Sequence, residues 1–207
     1  MAILLVFLKY PSAGKVKTRL AASIGPGRAA SLYRQWIGLV LERVQPLRGQ
    51  SLGGQARVVG YFDGGSQQDF APWDALVDEW WPQPAGDLGD RLRAGFDAAH
   101  ALSEPVVAIG TDCLELDAPL LEAAFEALDR NDVVFGPALD GGYYLIGTSR
   151  NLPGFFDDVP WSSPSTLAAH LSLCARSAWS VELLDPRRDI DTVADWLAHQ
   201  RTEDAAP

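Results

Sequence analysis

The stretch Ile3-Leu4-Leu5-Val6-Phe7-Leu8-Lys9-Tyr10-Pro11-Ser12-Ala13-Gly14-Lys15-Val16-Lys17-Thr18-Arg19-Leu20 joins a short apolar run to a polar, basic segment. The run at residues 3–8 is uninterrupted, which is typical of a strand buried on both faces in a parallel sheet. Residues 9–20, which we call the lysine segment, contain every lysine of the chain together with Arg19. This concentration of positive charge after a strand predicts an anion-binding site.

Strands and helices alternate along the rest of the chain. Apolar runs predict further strands at residues 57–62, 77–81, 105–109, 133–135, 143–146 and 181–184. Helical periodicity predicts helices at residues 29–44, 91–102, 119–128, 165–176 and 191–199. The alternation predicts a single α/β domain over residues 1–200, with a mainly parallel, mixed sheet flanked by helices, and a flexible tail at 201–207. In such sheets ligands bind beyond the carboxyl ends of the strands.

The composition excludes several functions. The chain has 207 residues, 47% of them hydrophobic, and no apolar run near the roughly 18 residues that cross a bilayer. Cys113 and Cys174 have neither metal-ligand spacing nor a disulfide framework, which fits a reducing compartment. The net charge of −10 opposes nucleic-acid binding. We therefore expect a cytoplasmic protein without membrane or nucleic-acid partners, and the tryptophans leave a homodimer contact open.

The lysine segment has the composition of a phosphate cradle. Gly14 allows close backbone approach, Thr18 offers a hydroxyl, and Lys15, Lys17 and Arg19 supply donors for phosphate oxygens. The segment is not a P-loop, because it has one glycine and a different lysine spacing. The alternative is a solvated basic surface loop.

Two aspartates follow predicted strands. Asp112 comes directly after the strand at 105–109, where one carboxylate can hold Mg²⁺ while substrate phosphate and water complete its shell. A helix N-cap or turn is the alternative. Asp140 lies in a glycine-rich stretch at 136–142 and is expected to share the cation or to orient an acceptor beside Gly141 and Tyr143. Since Asp-Gly between strands also favours a hairpin, that alternative stays open.

Two further segments contain acids at predicted helix starts. Gly86-Asp87-Leu88-Gly89 precedes a helix whose free N–H groups suit a polar ligand, although Asp87 serves equally well as a helix cap. Thr192 to Asp195 has the pattern of a capping box. A structural role is therefore favoured for Asp189 and Asp191 just before it.

Several of these motifs together resemble a known family. Residues 9–20, Gly110-Thr111-Asp112-Cys113, residues 136–147 and Asp189-Ile190-Asp191-Thr192 resemble bacterial glycosyltransferase-A-like (GT-A) proteins, often called nucleotide-diphospho-sugar transferases. Lys17-Thr18-Arg19-Leu20 is also similar to the phosphate loop of 2-phospholactate guanylyltransferases. One departure lies at Leu114 and Glu115, where relatives tend to have proline.

The resemblance implies a nucleotide-binding fold, a divalent metal, Mg²⁺ or Mn²⁺, and transfer of a nucleotidyl or glycosyl group to a small acceptor. It implies phosphate contacts from Lys15, Lys17 and Arg19, a metal on Asp112, and the base or ribose near residues 86–89. The nucleotide-binding set is then Lys9, Gly14, Lys15, Lys17, Thr18, Arg19, Gly86, Asp87, Leu88 and Gly89.

Three functional hypotheses follow, and the abundance of cations sets their order. The first is nucleotidyl transfer from a nucleoside triphosphate, with Lys17, Arg19 and Asp112 as catalytic residues and Asp140 as a second metal ligand. The second is glycosyl transfer from a nucleotide diphosphate sugar. The third is a nucleotide-binding protein without turnover.

Overall fold

The computed structural model describes residues 1–48 and 56–204, which include one sheet of seven strands: β1 (Ala2–Lys9), β2 (Ala56–Asp63), β3 (Glu79–Pro82), β4 (Val106–Gly110), β5 (Val133–Pro137), β6 (Tyr143–Thr148) and β7 (Val181–Leu183). Their order in the sheet is β3-β2-β1-β4-β6-β5-β7. Neighbouring strands are parallel except β6, which is antiparallel to both β4 and β5. The predicted single α/β domain with a mainly parallel, mixed sheet is confirmed.

Helices cover both faces of the sheet, so β1 is buried on both sides. Its even-numbered residues, such as Leu4 and Val6, belong to one core with the helices at 26–43 and 118–128, and Ile3 and Leu5 belong to a second core with the helices at 88–100 and 166–177. This is why the first strand has no polar alternation. The helices are α1 (Thr18–Ile24), α2 (Pro26–Arg43), α3 (Leu88–His100), α4 (Ala118–Leu128), α5 (Thr166–Ser177) and α6 (Val193–Asp204), with 3₁₀ helices at Gln45–Leu47 and Gln67–Leu76.

One helix was missed in the sequence, and the end of another lies beyond its predicted bound. Helix α1 begins at Thr18, inside the lysine segment, and was missed because its seven residues hold too few apolar positions to show a period. Helix α6 continues to Asp204, four residues into the predicted tail, after a capping box that starts it at Thr192 and Asp195. The remainder of that tail, 205–207, lies outside the described residues.

The topology directs several loops to one edge of the sheet. Strands β1, β2, β3, β4, β5 and β7 run in the same direction, so the segments that follow them meet at their carboxyl ends. The order reverses between β1 and β4, since the chain goes outward through β2 and β3 before it returns, and such switch points form crevices. Among the described residues, no helix combines the length and apolar character that a membrane span needs.

Candidate active site

One buried ammonium group joins three segments at this edge. Lys17 Nζ lies 2.9 Å from Asp112 Oδ1 and 3.0 Å from Asp191 Oδ1, and it donates to Ile190 O at 2.7 Å. Its side chain is 5% exposed. The lysine segment, the loop after β4 and the segment after β7 therefore meet around one positive charge, as the strand-end argument predicts for Lys17 and Asp112.

The charge of Lys17 is held in place by its surroundings. Burial alone would lower the pKa of this ammonium group, but the charges and hydrogen bonds of Asp112 and Asp191 outweigh burial and raise it. The Trp36 ring lies beneath, with its centroid 5.8 Å from Nζ. Lys17 is thus charged at neutral pH even though it is almost fully removed from water.

Two cavities adjoin at this point. The basic cavity, of about 320 Å³, is walled by the cationic residues Lys9, Lys15, Lys17 and Arg19 together with Thr18. The central cavity, of about 330 Å³, extends across the ends of β1, β4 and β6. Lys9, Tyr33 and Asp112 line both cavities, so the carboxylate of Asp112 lies on their shared wall. Gly14, predicted with the phosphate contacts, stays in the exposed turn beside Lys15 with a φ of 77°.

Asp189 is a site residue that sequence reasoning missed. Its side chain lines the central cavity with Asp112. Burial, and then the negative charge of Asp112, raises the pKa of Asp189 to about 7 although Lys17 opposes the shift. The signal in the sequence was its place in Asp189-Ile190-Asp191-Thr192, which we assigned to helix capping. Strand β7 carries it to the site by pairing parallel with β5.

Asp140 lies in the hairpin turn at residues 138–142 between β5 and β6, and its negative charge contributes to the raised pKa of Asp189. It is exposed, and its Oδ1 accepts a hydrogen bond of 2.9 Å from the Gly142 N–H. Gly141 has a φ of 93°, and a Cβ there would lie 2.1 Å from Pro164 O. Neither Asp140 nor Gly141 lines the two cavities. The hairpin alternative is confirmed, and a role for Asp140 with metal or acceptor stays a prediction.

The two tyrosines of β6 line the central cavity. Tyr144 Oη donates to Asp185 O at 3.0 Å. Tyr143 Oη is buried and has no hydrogen-bond partner among the described residues, and burial raises the pKa of its hydroxyl. Cys113 lines the same wall, and burial raises the pKa of its thiol to about 12, which suits packing rather than nucleophilic attack.

The start of α3 is a structural cap. Asp87 Oδ1 accepts from the Asp90 N–H at 2.9 Å, and Asp90 Oδ2 accepts from the Asp87 N–H at 3.2 Å. Gly86 lies just before this box with a φ of 131°. Gly89 is packed beneath Trp161, whose Nε1 would lie 2.1 Å from an added Cβ. Of the predicted nucleotide contacts at 86–89, the structure brings Leu88 alone to the cavity wall.

A polar group that the sequence did not reveal forms another wall of the central cavity. Arg91 Nη1 donates to Asp63 Oδ2 at 2.8 Å and to Gln83 Oε1 at 3.2 Å, and Lys9 Nζ lies 3.5 Å from Asp63 Oδ2. Asp63 is the last residue of β2 and Gln83 directly follows β3, which makes them strand-end residues like Asp112. Neither residue was predicted as a site residue, since each stands beside glycine or proline, where a turn is the ordinary expectation.

Tyr33 supports the wall that the two cavities share. Its Oη accepts from the Lys9 N–H at 3.2 Å and lies 2.8 Å from Thr111 Oγ1. Burial, and then the charge of Asp112, raises the pKa of Tyr33 to about 12, so its hydroxyl stays protonated. This contact fixes the ends of β1 and β4 relative to each other.

The acidic residues of the site suit a magnesium-type ion bound with substrate. Among residues 1–48 and 56–204, no group of three or more His, Cys, Asp or Glu side chains could hold a metal. Asp112 and Asp189 do share a cavity wall, and the charge of Asp112 adds to the effect of burial in raising the pKa of Asp189, so a cation beside the two carboxylates would offset their repulsion. Since Mg²⁺ usually takes one or two carboxylates and completes its shell with phosphate and water, these residues fit.

The fold and site define a class, the GT-A-like nucleotide-dependent transferases. A crystal structure from Desulfovibrio desulfuricans G20, provisionally named a nucleotide-diphospho-sugar transferase, matches with 30% identity and a TM-score of 0.88, over 99% of this chain and 88% of that one. The chain belongs to the family described as "Uncharacterized protein conserved in bacteria (DUF2064)", whose model matches residues 48–163. The predicted recognition and the transferase class are confirmed.

More distant structures share the fold alone. The CMP:2-keto-3-deoxy-manno-octonic acid synthetase, solved with CTP, is 14% identical with a TM-score of 0.60, over 99% of this chain and 98% of that one. Rv0371C from Mycobacterium tuberculosis H37Rv, solved with manganese, is 14% identical with a TM-score of 0.58, over 100% of both chains. A comparison with curated protein sequences finds no match. The similarity to 2-phospholactate guanylyltransferases stays a prediction.

Proposed function

We propose that this protein is a magnesium-dependent nucleotidyltransferase that joins a nucleoside triphosphate to a small acceptor bearing a phosphate or carboxylate. The observation that carries the proposal is the position of Asp112 on the wall between a cavity lined by cations and a second cavity of mixed character. One cavity suits a polyphosphate and the other suits the remaining substrate groups. The new bond between the two substrates would then form beside Asp112.

The exposed cations of the basic cavity are the proposed triphosphate contacts. Arg19 has a side chain that is 73% exposed, and Lys15 is exposed beside it. Arginine and lysine both donate to phosphate oxygens, and a triphosphate carries more charge than a nucleotide sugar. The number of cations in this cavity therefore supports nucleotidyl transfer over glycosyl transfer.

The proposed metal ligands are Asp112 and Asp189, with Asp140 kept as the sequence-based alternative. A bound Mg²⁺ would supply Lewis-acid stabilisation of the phosphate oxygens. Asp112 and Asp189 would fix its place at the junction of the cavities. Asp112 is the better-supported ligand of the two, because its side chain is 42% exposed and lines both spaces.

The proposed reaction is attack by an acceptor oxygen on the α-phosphorus of the triphosphate. The bond from that phosphorus to the bridging oxygen breaks, and pyrophosphate leaves with the negative charge. Such chemistry needs alignment and charge neutralisation more than proton transfer from the protein. Arg19 and Lys15 would neutralise the leaving group, and Tyr143, predicted from the sequence as an acceptor contact, lines the central cavity with its hydroxyl buried.

Glycosyl transfer from a nucleotide diphosphate sugar is the second candidate, because the 30% identical relative carries that type of name. In this case the same cations would stabilise a departing nucleoside diphosphate. Tyr143 and Tyr144 would then face the sugar or its acceptor.

A ligand panel separates the two candidates. Thermal shifts would be measured with the four common nucleoside triphosphates and with nucleotide sugars, each with Mg²⁺ or Mn²⁺. We expect a triphosphate to give the largest shift and to release pyrophosphate when acceptor pools are added. A shift confined to nucleotide sugars, with no pyrophosphate from any triphosphate, would overturn nucleotidyl transfer. The cytoplasmic location and the homodimer stay predictions from the sequence.

A further inference from the structure

Lys17 differs from the other cations of the lysine segment in having no hydrogen left to donate. An ammonium group has three N–H bonds, and Lys17 Nζ has three oxygen partners within 3.0 Å, on Asp112, Ile190 and Asp191. A phosphate oxygen could gain a bond from Lys17 only if one of these contacts broke. Lys15 and Arg19, by contrast, are exposed to solvent.

The backbone of Lys17 is also held in an unusual conformation. Its φ of 45° and ψ of 49° lie in the left-handed region, which non-glycine residues rarely occupy and which persists where surrounding contacts fix it. Its carbonyl accepts from the Ala21 N–H at 2.8 Å, and so begins α1. The chain therefore bends at this residue while its ammonium group stays between the carboxylates.

The partners of Lys17 are the residues around the proposed metal position. Asp112 Oδ1 is its nearest carboxylate oxygen, and the Ile190 N–H donates back to Asp112 O at 2.9 Å. Two links therefore join the segment that carries Asp189 to the loop that carries Asp112: the ammonium group of Lys17 and this backbone hydrogen bond. A positive charge thus already contacts two members of the carboxylate cluster, which we define as Asp112, Asp189 and Asp191.

We propose that Lys17 is the resident counter-ion of the carboxylate cluster, which opposes binding of a free divalent cation and so makes metal entry depend on the triphosphate. This inference rests on the proposed function. Two cations a few ångströms apart in a partly buried site repel each other by several RT, while the phosphates of a nucleotide supply the negative charge that offsets the repulsion. Lys17 is then a positioning residue for Asp112 and for the segment that carries Asp189, and the exposed cations contact the phosphates.

The test measures binding of Mn²⁺ by electron paramagnetic resonance and by calorimetry, without any turnover. Wild type, Lys17→Met and the matched control Lys15→Met would be titrated with Mn²⁺ alone and then with Mn²⁺ plus inorganic tripolyphosphate, a probe that needs no base. We expect wild type and Lys15→Met to bind free Mn²⁺ weakly. Lys17→Met should bind it at least about tenfold more tightly, because one nearby positive charge is gone.

Two outcomes would overturn the inference while leaving the proposed function standing. The first is a folded Lys17→Met protein whose affinity for free Mn²⁺ equals or falls below that of wild type. The second is a wild-type protein that binds Mn²⁺ equally tightly with and without tripolyphosphate. This outcome needs no variant, so the inference can be tested even if Lys17→Met fails to fold. Loss of tripolyphosphate affinity in Lys17→Met with unchanged affinity for free Mn²⁺ would instead identify Lys17 as a phosphate ligand. Binding of neither probe by wild type would count against the proposed function itself.

Discussion

The carboxylate cluster and the hairpin turn at residues 138–142 place aspartates at the same edge of one sheet, yet their surroundings differ. Asp112 contacts a buried ammonium group and lines two cavities. Asp140 is exposed and accepts a hydrogen bond from its own turn. Both follow parallel strands and both stand beside glycine or another polar residue in the sequence. Position at a strand end therefore brings an acid near the crevice, but long-range partners decide whether it faces the crevice.

The largest expected effect belongs to Asp112. We expect Asp112→Asn to lower kcat/KM by roughly 10²- to 10³-fold, because it removes the proposed carboxylate ligand of the metal that would stabilise the developing phosphate charge. Initial rates of pyrophosphate release, measured with and without EDTA, would check this. The EDTA-treated wild type should lose activity and recover it with Mg²⁺, whereas the variant should recover little. If kcat/KM of Asp112→Asn stays within threefold of wild type, Asp112 in the carboxylate cluster is no more important for activity than Asp140 in the hairpin turn is expected to be.

Gly141 tests the structural side of the comparison. We expect Gly141→Ala to lower the free energy of unfolding by about 2–3 kcal/mol, since alanine is strained at a φ of 93° and its Cβ would meet Pro164 O. Urea unfolding followed by circular dichroism measures the change. The matched control is Gly154→Ala, with a φ of 79° and its nearest contact at 3.7 Å.

The control separates backbone strain from the clash at Gly141. Gly154→Ala should lose only about 1 kcal/mol, the value for the left-handed backbone alone. Equal losses of unfolding free energy in the two variants would mean that the hairpin turn can move away from Pro164 at no cost. The turn would then be less fixed than its hydrogen bond from the Leu167 N–H to Gly141 O, at 3.1 Å, indicates.

The sequence predicts what depends on local pattern. The uninterrupted run at residues 3–8 predicted a strand buried on both faces, and Asp112 was found because it follows such a strand. Asp189 was missed because β7 is three residues long, and its place follows from pairing with β5 about fifty residues earlier. The contacts of Lys17 with Asp112 and Asp191 join residues far apart in the chain, and no spacing rule reveals such pairs.

Arg19 tests whether exposure in the basic cavity means phosphate binding. Its Nη1 lies 3.3 Å from Asp191 Oδ2, an exposed ion pair that contributes little to stability. We expect Arg19→Gln to weaken triphosphate affinity by about tenfold and to leave the melting temperature nearly unchanged, as suits loss of one charge-assisted phosphate contact. Calorimetry with Mg²⁺-triphosphate, repeated at raised salt, gives the affinity.

The control for Arg19 is Arg28→Gln. Arg28 is exposed on α2 and lines neither cavity, so its loss changes net charge equally without removing the contact. Equal weakening by both variants would mean that the field of the whole protein, and not a bound arginine, attracts the triphosphate. A tenfold loss in Arg19→Gln alone supports the exposed cations as the phosphate contacts beside the cluster.

Asp140 should give the smallest effect and is the most direct test of the comparison. Asparagine can accept the same Gly142 N–H bond, so we expect Asp140→Asn to keep the turn and to change kcat/KM by less than about threefold, while unfolding free energy changes by no more than about 0.5 kcal/mol. Kinetics at saturating and limiting Mg²⁺ would reveal a metal ligand as a shift in the metal requirement. Such a shift would restore Asp140 as the second metal ligand and place the hairpin turn within the working site, with Asp189 left as its neighbour. If Asp140→Asn leaves the Mg²⁺ requirement unchanged and Asp189→Asn raises it, the second carboxylate ligand belongs to the segment after β7, which Lys17 holds against Asp112.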